Sequence, residues 1–474
     1  MSASIDVVQD ADKFIGTDRF ILDRLHVLGS SSYQDTEKHL SNIKPAKLKT
    51  DQEITERWLQ WAKKDKSLKV IGANIPSGIL PNGYEGQLID VKVFVRFGPD
   101  DAVYDNNKTI RDRVARGNCF LDIINGPHAG VTCILQAMKK FTGGMGDDDD
   151  RETGDESVWE RYFTKAYSDA DRVIVTEKVN GEAAHLSCIE IEGEKILCGG
   201  SKNVHLLFRN KADIEKYVEP RYRIAQEVCE AVMTYLDNMK PQDRKQLLQF
   251  LVHSGYTAVF EILVPDHQHV VNLSQLKSSE LRFITWTVCE LEPSEKLEHL
   301  NVIPPHVGIE IAKALGLQTV KYEVVEMQDI QKRMRTIRQE YDLEGEVLYF
   351  LDKQGAVIGI LKKKTTWYIM CRAIREKLKT AGKLQSHKPE LFSLSKAQNK
   401  MEMRINDIQK WLDLDHETTA SWKDLAIKAM KWSLQQLDQG DITQEDLQDK
   451  FPVVWNKFLE CSGETDRIEV KLMK

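Results

Sequence analysis

Apolar residues recur with two different periods along this 474-residue chain. From residue 88 to residue 361 they fall in short runs rich in Val, Ile, Leu and aromatic residues. The runs cover 88–95, 119–124, 172–176, 183–190, 195–198, 256–263, 281–288, 346–350 and 357–361, and they predict strands. Helical spacing is predicted between them at 51–64, 213–239, 241–253 and 309–316. After Trp367 only the helical period remains, at 367–383, 394–414, 418–437 and 443–460. The segment Asp441-Ile442-Thr443-Gln444-Glu445-Asp446 has the acidic first turn of a helix start. Pro76, Gly78, Pro81 and Gly83 mark 72–86 as a loop or linker. Many short strands with helices between them predict an α+β fold with mostly antiparallel sheets, followed by an all-α part. The expected division is an N-terminal extension at 1–85, a sheet-bearing domain at 86–383 and a helical domain at 384–474.

Composition narrows the class. Hydrophobic residues make up 41% and charged residues 29%, as in ordinary globular proteins. No run of about 18 apolar residues exists, so no membrane partner is expected. Residues 1–12 lack the basic and apolar stretch of a secretory signal, and an intracellular, cytoplasmic or nuclear, location is expected. The eight cysteines are scattered without a C-x-x-C pair. They read as buried thiols of a reducing compartment and disfavour a zinc site. The net charge of −7 lacks the electrostatic footprint of a general nucleic-acid binder. An RNA substrate would therefore need a local basic groove, with the acidic residues 147–150 and 151–152 away from it. There is no internal repeat and no G-x-x-x-x-G-K-[ST] loop, so no kinase of that type is expected in this chain.

Chemistry concentrates at Thr176-Glu177-Lys178-Val179-Asn180-Gly181, directly after the run 172–175. A lysine amine becomes nucleophilic when burial or nearby cations populate its neutral form. Asn-Gly supplies a turn that brings backbone close to a ligand. Taken alone, the motif fits an exposed lysine in an Asn-Gly hairpin better than a nucleophile. Downstream, in order, follow Ser201-Lys202-Asn203, Phe260-Glu261-Ile262-Leu263, Glu344-Gly345-Glu346-Val347 and Lys362-Lys363-Lys364-Thr365-Thr366-Trp367-Tyr368.

This ordered set resembles the covalent nucleotidyltransferases, which comprise DNA ligases, RNA ligases and mRNA capping enzymes. It is most similar to RNA ligases of the phage type and to the ligase domain of fungal tRNA-splicing enzymes. Lys-Val-Asn-Gly is similar to their K-x-N-G or K-x-D-G. Upstream, Ala115-Arg116-Gly117-Asn118-Cys119-Phe120 is similar to A-R-G-x-x-F. Met138-Lys139-Lys140-Phe141 is similar to K-F-F-N, with Thr142-Gly143 in place of Phe-Asn. Tyr368-Ile369-Met370-Cys371-Arg372 and Arg375-Glu376 resemble the Y-L-M-Y-R and R-E ending of the tRNA-ligase version. The likeness covers about residues 110–380. The helical tail lacks the strands of an OB-fold, which favours the RNA-ligase group over DNA ligases and capping enzymes.

The resemblance implies an antiparallel-sheet adenylyltransferase domain that uses ATP and Mg2+ (or Mn2+). Lys178 would attack the α-phosphate, AMP would pass to an RNA 5′-phosphate, and an RNA 3′-hydroxyl would displace it. Lys362 and Lys364, two apart on a strand, would share a face toward the α-phosphate, although Lys363 could replace either. Their bland alternative is a basic edge strand. Glu344 would bind the metal, and Glu261 a ribose hydroxyl or a metal water; both also fit surface ion pairs. Glu177 would turn its backbone to the adenine, and Asn180 and Gly181 would complete the nucleotide-binding turn. Ser201 and Lys202 would touch ribose and phosphate, or form a simple turn. Arg116 and Lys140 would meet the β- and γ-phosphates. Trp286, with Phe283, would stack on adenine or belong to the core. Asp266-His267-Gln268-His269 is read as structural. The charged helix 372–383 would flank the substrate path or be a solvated face. A GTP-using capping-type guanylyltransferase and a non-catalytic RNA-binding scaffold of the same fold are the alternatives. Which RNA is joined and the oligomeric state are not legible.

Overall fold

The computed structural model describes residues 4–46, 52–96, 98, 100–126, 128–141, 160–292 and 299–471. The acidic residues 147–152 and Thr142-Gly143 lie outside the described residues. β1 (Leu68–Asn74), β2 (Glu85–Val93), β3 (Asn118–Asn125) and β4 (Gly130–Gln136) form a first sheet in chain order. Among the described residues nine further strands follow: β5 (Ala170–Lys178), β6 (Glu182–Ile191), β7 (Glu194–Gly200), β8 (His205–Phe208), β9 (Thr257–Leu263), β10 (Glu280–Thr287), β11 (Tyr322–Glu326), β12 (Gly345–Asp352) and β13 (Val357–Lys364). They divide into a second sheet, ordered β10-β9-β6-β7-β8, and a third, ordered β11-β5-β12-β13. Every pairing between these strands is antiparallel.

β5 explains why an apolar run without alternation forms a strand: both of its faces are covered. Val173 and Val175 pack with Leu348, Phe350 and the helix Ile330–Arg338. Ile174, between them, points the other way, to Val347, Tyr349 and Ile360, where Met138 and Phe141 close the cluster. The second sheet buries Leu186, Phe260 and Phe283 against the helices Arg223–Asn238, Pro241–Ser254 and Pro305–Ala314.

The first sheet runs across the division expected at residue 85. β1 pairs with β2 from Leu68↔Val93 to Asn74↔Gln87. The helix Gln52–Lys64 adds Trp58, Leu59 and Ala62 to the core beneath Ile89, Val91 and Phe120. The loop expected over 72–86 is accordingly shorter, because β1 extends to Asn74 and β2 begins at Glu85. β1, β4, β8 and β11 were not among the predicted strands. The helix expected over 213–239 is interrupted: Lys211–Glu215 and Arg223–Asn238 flank a tight turn at Pro220–Tyr222. Pro220 has no N–H to continue the ladder, and its ring obstructs the preceding turn.

The C-terminal part is helical, as expected. The helix Thr366–His387 passes through residue 383 and packs on Leu394–Leu412, His416–Gln439 and Gln444–Asp449. Thr365 caps it by accepting the Tyr368 N–H. Thr443 and Asp446 form a reciprocal capping box where the helix start was read. The helix beyond it is split, with Phe451–Ser462 beginning anew and Pro452 in its first turn. The chain after β9 ties this part to the second sheet. The Gln268 N–H donates to the Asp449 carbonyl at 2.6 Å, and His267 pairs with Asp449 at 3.0 Å. Among the described residues no helix is long and apolar enough to cross a membrane.

Candidate active site

β5 and β6 are consecutive in the chain but belong to different sheets, so residues 179–181 carry the backbone from one to the other. Asn180-Gly181 is therefore a crossing between sheets, and the hairpin alternative does not apply. Gly181 is needed for close approach. A Cβ there would lie 2.2 Å from the Ile262 carbonyl oxygen of β9. Asn180 is buried and spends its whole amide on the crossing. Its Oδ1 accepts the N–H groups of Val270 (3.1 Å) and Val271 (3.2 Å). Its Nδ2 donates to Glu344 Oε2 (2.8 Å) and the Tyr368 hydroxyl (3.2 Å).

Lys178 thus ends β5 where the chain crosses between two sheets. Its Nζ lies 2.9 Å from Glu344 Oε1, and its side chain is 21% exposed against 7% for Glu344. Gly345 pairs with Lys178 on one side and with Lys364 on the other. Directly opposed residues share a face, so Lys178 and Lys364 point the same way, and Lys362, two residues earlier, joins them. Lys363 is aligned with Glu346 and Glu177 on the opposite face, where Arg333 binds Glu346 at 2.9 Å. The ambiguity among the three lysines is resolved by register.

The charges are tightly linked. Burial pulls the Lys178 pKa down, but Glu344 and then Glu261 and Tyr368 outweigh it and hold the ammonium well above its ordinary range. Burial pushes Glu344 up, and Lys178 and Lys364 overcome it, leaving the carboxylate below its usual value. Glu261, on β9, accepts the Gly181 N–H at 3.1 Å. Burial, only partly opposed by Lys178, pushes its carboxyl up to about 7. These two carboxylates beside the lysine offer hard oxygen donors suited to a magnesium-like cation.

A second group of cations gathers around Asp100 and Asp101. Arg116 reaches both Asp100 oxygens at 3.3 Å and Asp101 at 3.8 Å. Lys202 meets Asp100 at 2.5 Å, and Lys140 pairs with Asp101. Arg116 is fixed by its N–H to the Met138 carbonyl (2.9 Å) and by a bridge between Ala115 and Lys139. Gly117 permits this with φ +133°, where a Cβ would meet His185 at 2.6 Å. Met138 and Phe141, flanking Lys140, pack on the face of the third sheet that carries Lys178.

Other expected residues lie elsewhere. Trp286 is fully buried, its indole N–H donates to the Gly308 carbonyl at 2.9 Å, and its ring packs on Phe250 and Phe283. It is a core residue and is not available to stack on adenine. Glu177 is exposed, and its backbone N–H is engaged by the Lys321 carbonyl at 3.1 Å. Ser201 closes the turn between β7 and β8 through its N–H to the Val204 carbonyl. Neither Asp100 nor Asp101 was singled out from the sequence, where an acidic pair carries no distinctive signal. The Tyr368 hydroxyl was legible only as a letter in a motif.

Asp90, Cys119 and His205 have the spacing of metal ligands and are all buried. Their polar atoms are already engaged. His205 Nδ1 lies 2.7 Å from Asp90, and its Nε2 lies 3.3 Å from His185 Nδ1. Burial drives the Cys119 thiol well above its usual range and His185 down to about 3, so both are neutral. This is a hydrogen-bonded chain joining β2, β8 and β6.

Residues 86–375 match a family described as a domain of unknown function, DUF7920. No curated protein and no solved structure gives a significant match.

Proposed function

The chain belongs to the DUF7920 family, a domain of unknown function, and we propose that it is an ATP-dependent RNA ligase. The observation that carries this reading is the position of Lys178. It ends a strand at the crossing between two sheets, ion-paired to Glu344 and sharing a face with Lys362 and Lys364. An ordinary surface lysine has no need of a buried carboxylate, a fully bonded Asn180 or a glycine without room for a Cβ.

In this proposal the Lys178 amine forms an N–P bond to the ATP α-phosphorus while the bond to the pyrophosphate leaving group breaks. The ammonium must first give up its proton to water, against the hold of Glu344 at 2.9 Å. Lys362 and Lys364 would bear on the phosphate oxygens as negative charge builds. Glu344 and Glu261 would hold a divalent cation, which neutralises triphosphate charge when bound. Arg116, Lys140 and Lys202 would receive the β- and γ-phosphates. An RNA 5′-phosphate then takes AMP from the lysine, and an RNA 3′-hydroxyl displaces it to form the phosphodiester.

The test is the intact mass of the protein after incubation with ATP or GTP and magnesium, beside Lys178→Ala. The expected result is a gain of one AMP from ATP, absent in the variant. A GMP adduct would move the protein to capping-type chemistry. No adduct, on protein verified as free of AMP beforehand, would leave an RNA-binding scaffold.

A further inference from the structure

Arg116, Lys140 and Lys202 come from three separate places: ahead of β3, after β4, and in the turn between β7 and β8. All three converge on two adjacent carboxylates, Asp100 and Asp101. Asp100 lies between the two Arg116 contacts of 3.3 Å and Lys202 at 2.5 Å, and Asp101 takes Lys140. The pairs are sheltered, with Asp100 and Asp101 side chains 20% and 21% exposed and Lys140 only 3%. Neighbouring carboxylates held by three cations present oxygens much as a diphosphate does. Two negative charges against three positive ones leave the cradle one charge short of neutral.

From this we infer that Asp100 and Asp101 are a built-in competitor for polyphosphate, occupying the cradle until the β- and γ-phosphates displace them. The inference rests on the reading of Arg116, Lys140 and Lys202 as phosphate ligands. The helix behind the pair is anchored, since Tyr104 is buried and its carbonyl and that of Asp105 accept from Arg111. Displacement therefore calls for rotation of two short side chains, while the helix Asp101–Asn106 stays in place. The same contacts would act again after the first chemical step. Carboxylates returning to the cations lower the affinity for the pyrophosphate product, which speeds its release and suppresses reversal of the adenylylation.

The experiment is calorimetric titration with inorganic pyrophosphate, comparing the unaltered protein with the Asp100→Asn/Asp101→Asn variant. Asparagine keeps the shape and removes the charge. Alongside it, the adduct on Lys178 is formed with ATP and then reversed with added pyrophosphate. A competitor predicts pyrophosphate binding about tenfold tighter or more in the variant, as expected for losing charge-assisted contacts. It also predicts reversal at correspondingly lower pyrophosphate. Equal or weaker binding, with the adduct still formed, overturns the competitor and leaves the ligase reading standing: the aspartates would then be orienting the cations. Tighter pyrophosphate binding with no adduct in either protein keeps the competitor and retires the ligase reading. No binding in either protein overturns the inference. Thermal unfolding checks that the variant is folded, and the two single variants, each expected to show part of the gain, carry the test if it is not.

Discussion

Replacing Asn180 with alanine tests the inter-sheet crossing without reference to any activity. The residue is 6% exposed and makes four hydrogen bonds. Truncation leaves the N–H groups of Val270 and Val271 without their acceptor and removes a donor from the buried Glu344 carboxylate. A buried group stripped of its partner costs about 1–3 kcal/mol, and charge-assisted bonds lie at the upper end. Allowing for water entering at the half-buried Val271, the total is about 3–4 kcal/mol, a large share of a typical domain's stability. Asn180→Asp separates the two halves of the amide. It keeps an acceptor for Val270 and Val271 but sets a second carboxylate against Glu344, so its loss should grow as pH rises from about 5 to about 8. The assay is urea unfolding followed by tryptophan fluorescence, with the midpoint shift read at constant slope. A loss below about 1 kcal/mol for Asn180→Ala, or a pH-independent loss for Asn180→Asp, would refute the reasoning.

The register on β13 separates three adjacent lysines by function. Lys362→Ala and Lys364→Ala should slow adduct formation with ATP by about a hundredfold, whereas Lys363→Ala should change it less than about threefold; a time course by mass decides, and equal effects would sink the face assignment. Glu261 gives a pH signature. Its folded pKa of about 7 lies above the ordinary 4.5, so the folded state holds the proton longer, and the stability this adds in acid is lost as pH rises through about 7. Glu261→Gln cannot ionise, so its urea midpoint should gain on the wild type between about pH 5 and pH 8. A constant difference across that range would remove the burial argument.

Much of this architecture is written locally. Two-sided burial makes 173–175 a continuous apolar run, and the helical period after Trp367 marks the C-terminal helices, because each follows from which faces of one segment are covered. The capping box at Thr443 was likewise readable, since its partners are three residues apart. Lys178, Asn180, Gly181, Glu261 and Glu344 were legible as an ordered set, and the structure bonds Lys178 and Asn180 to Glu344 and Gly181 to Glu261.

What the sequence could not determine depends on residues far apart in the chain. The choice among Lys362, Lys363 and Lys364 required the pairing of β13 with β12 and of β12 with β5, because a shift of one residue exchanges every face. Trp286 looks like a ligand-stacking aromatic until three helices and a sheet close over it. Whether Asn-Gly makes a hairpin depends on the partners that β5 and β6 find elsewhere. The meeting of Arg116, Lys140 and Lys202 at Asp100 and Asp101 depends on long-range closure too. Electrostatic attraction acts through space, and three cations spread over 87 positions of sequence (202 less 116, inclusive) share a cradle only because tertiary folding brings them there.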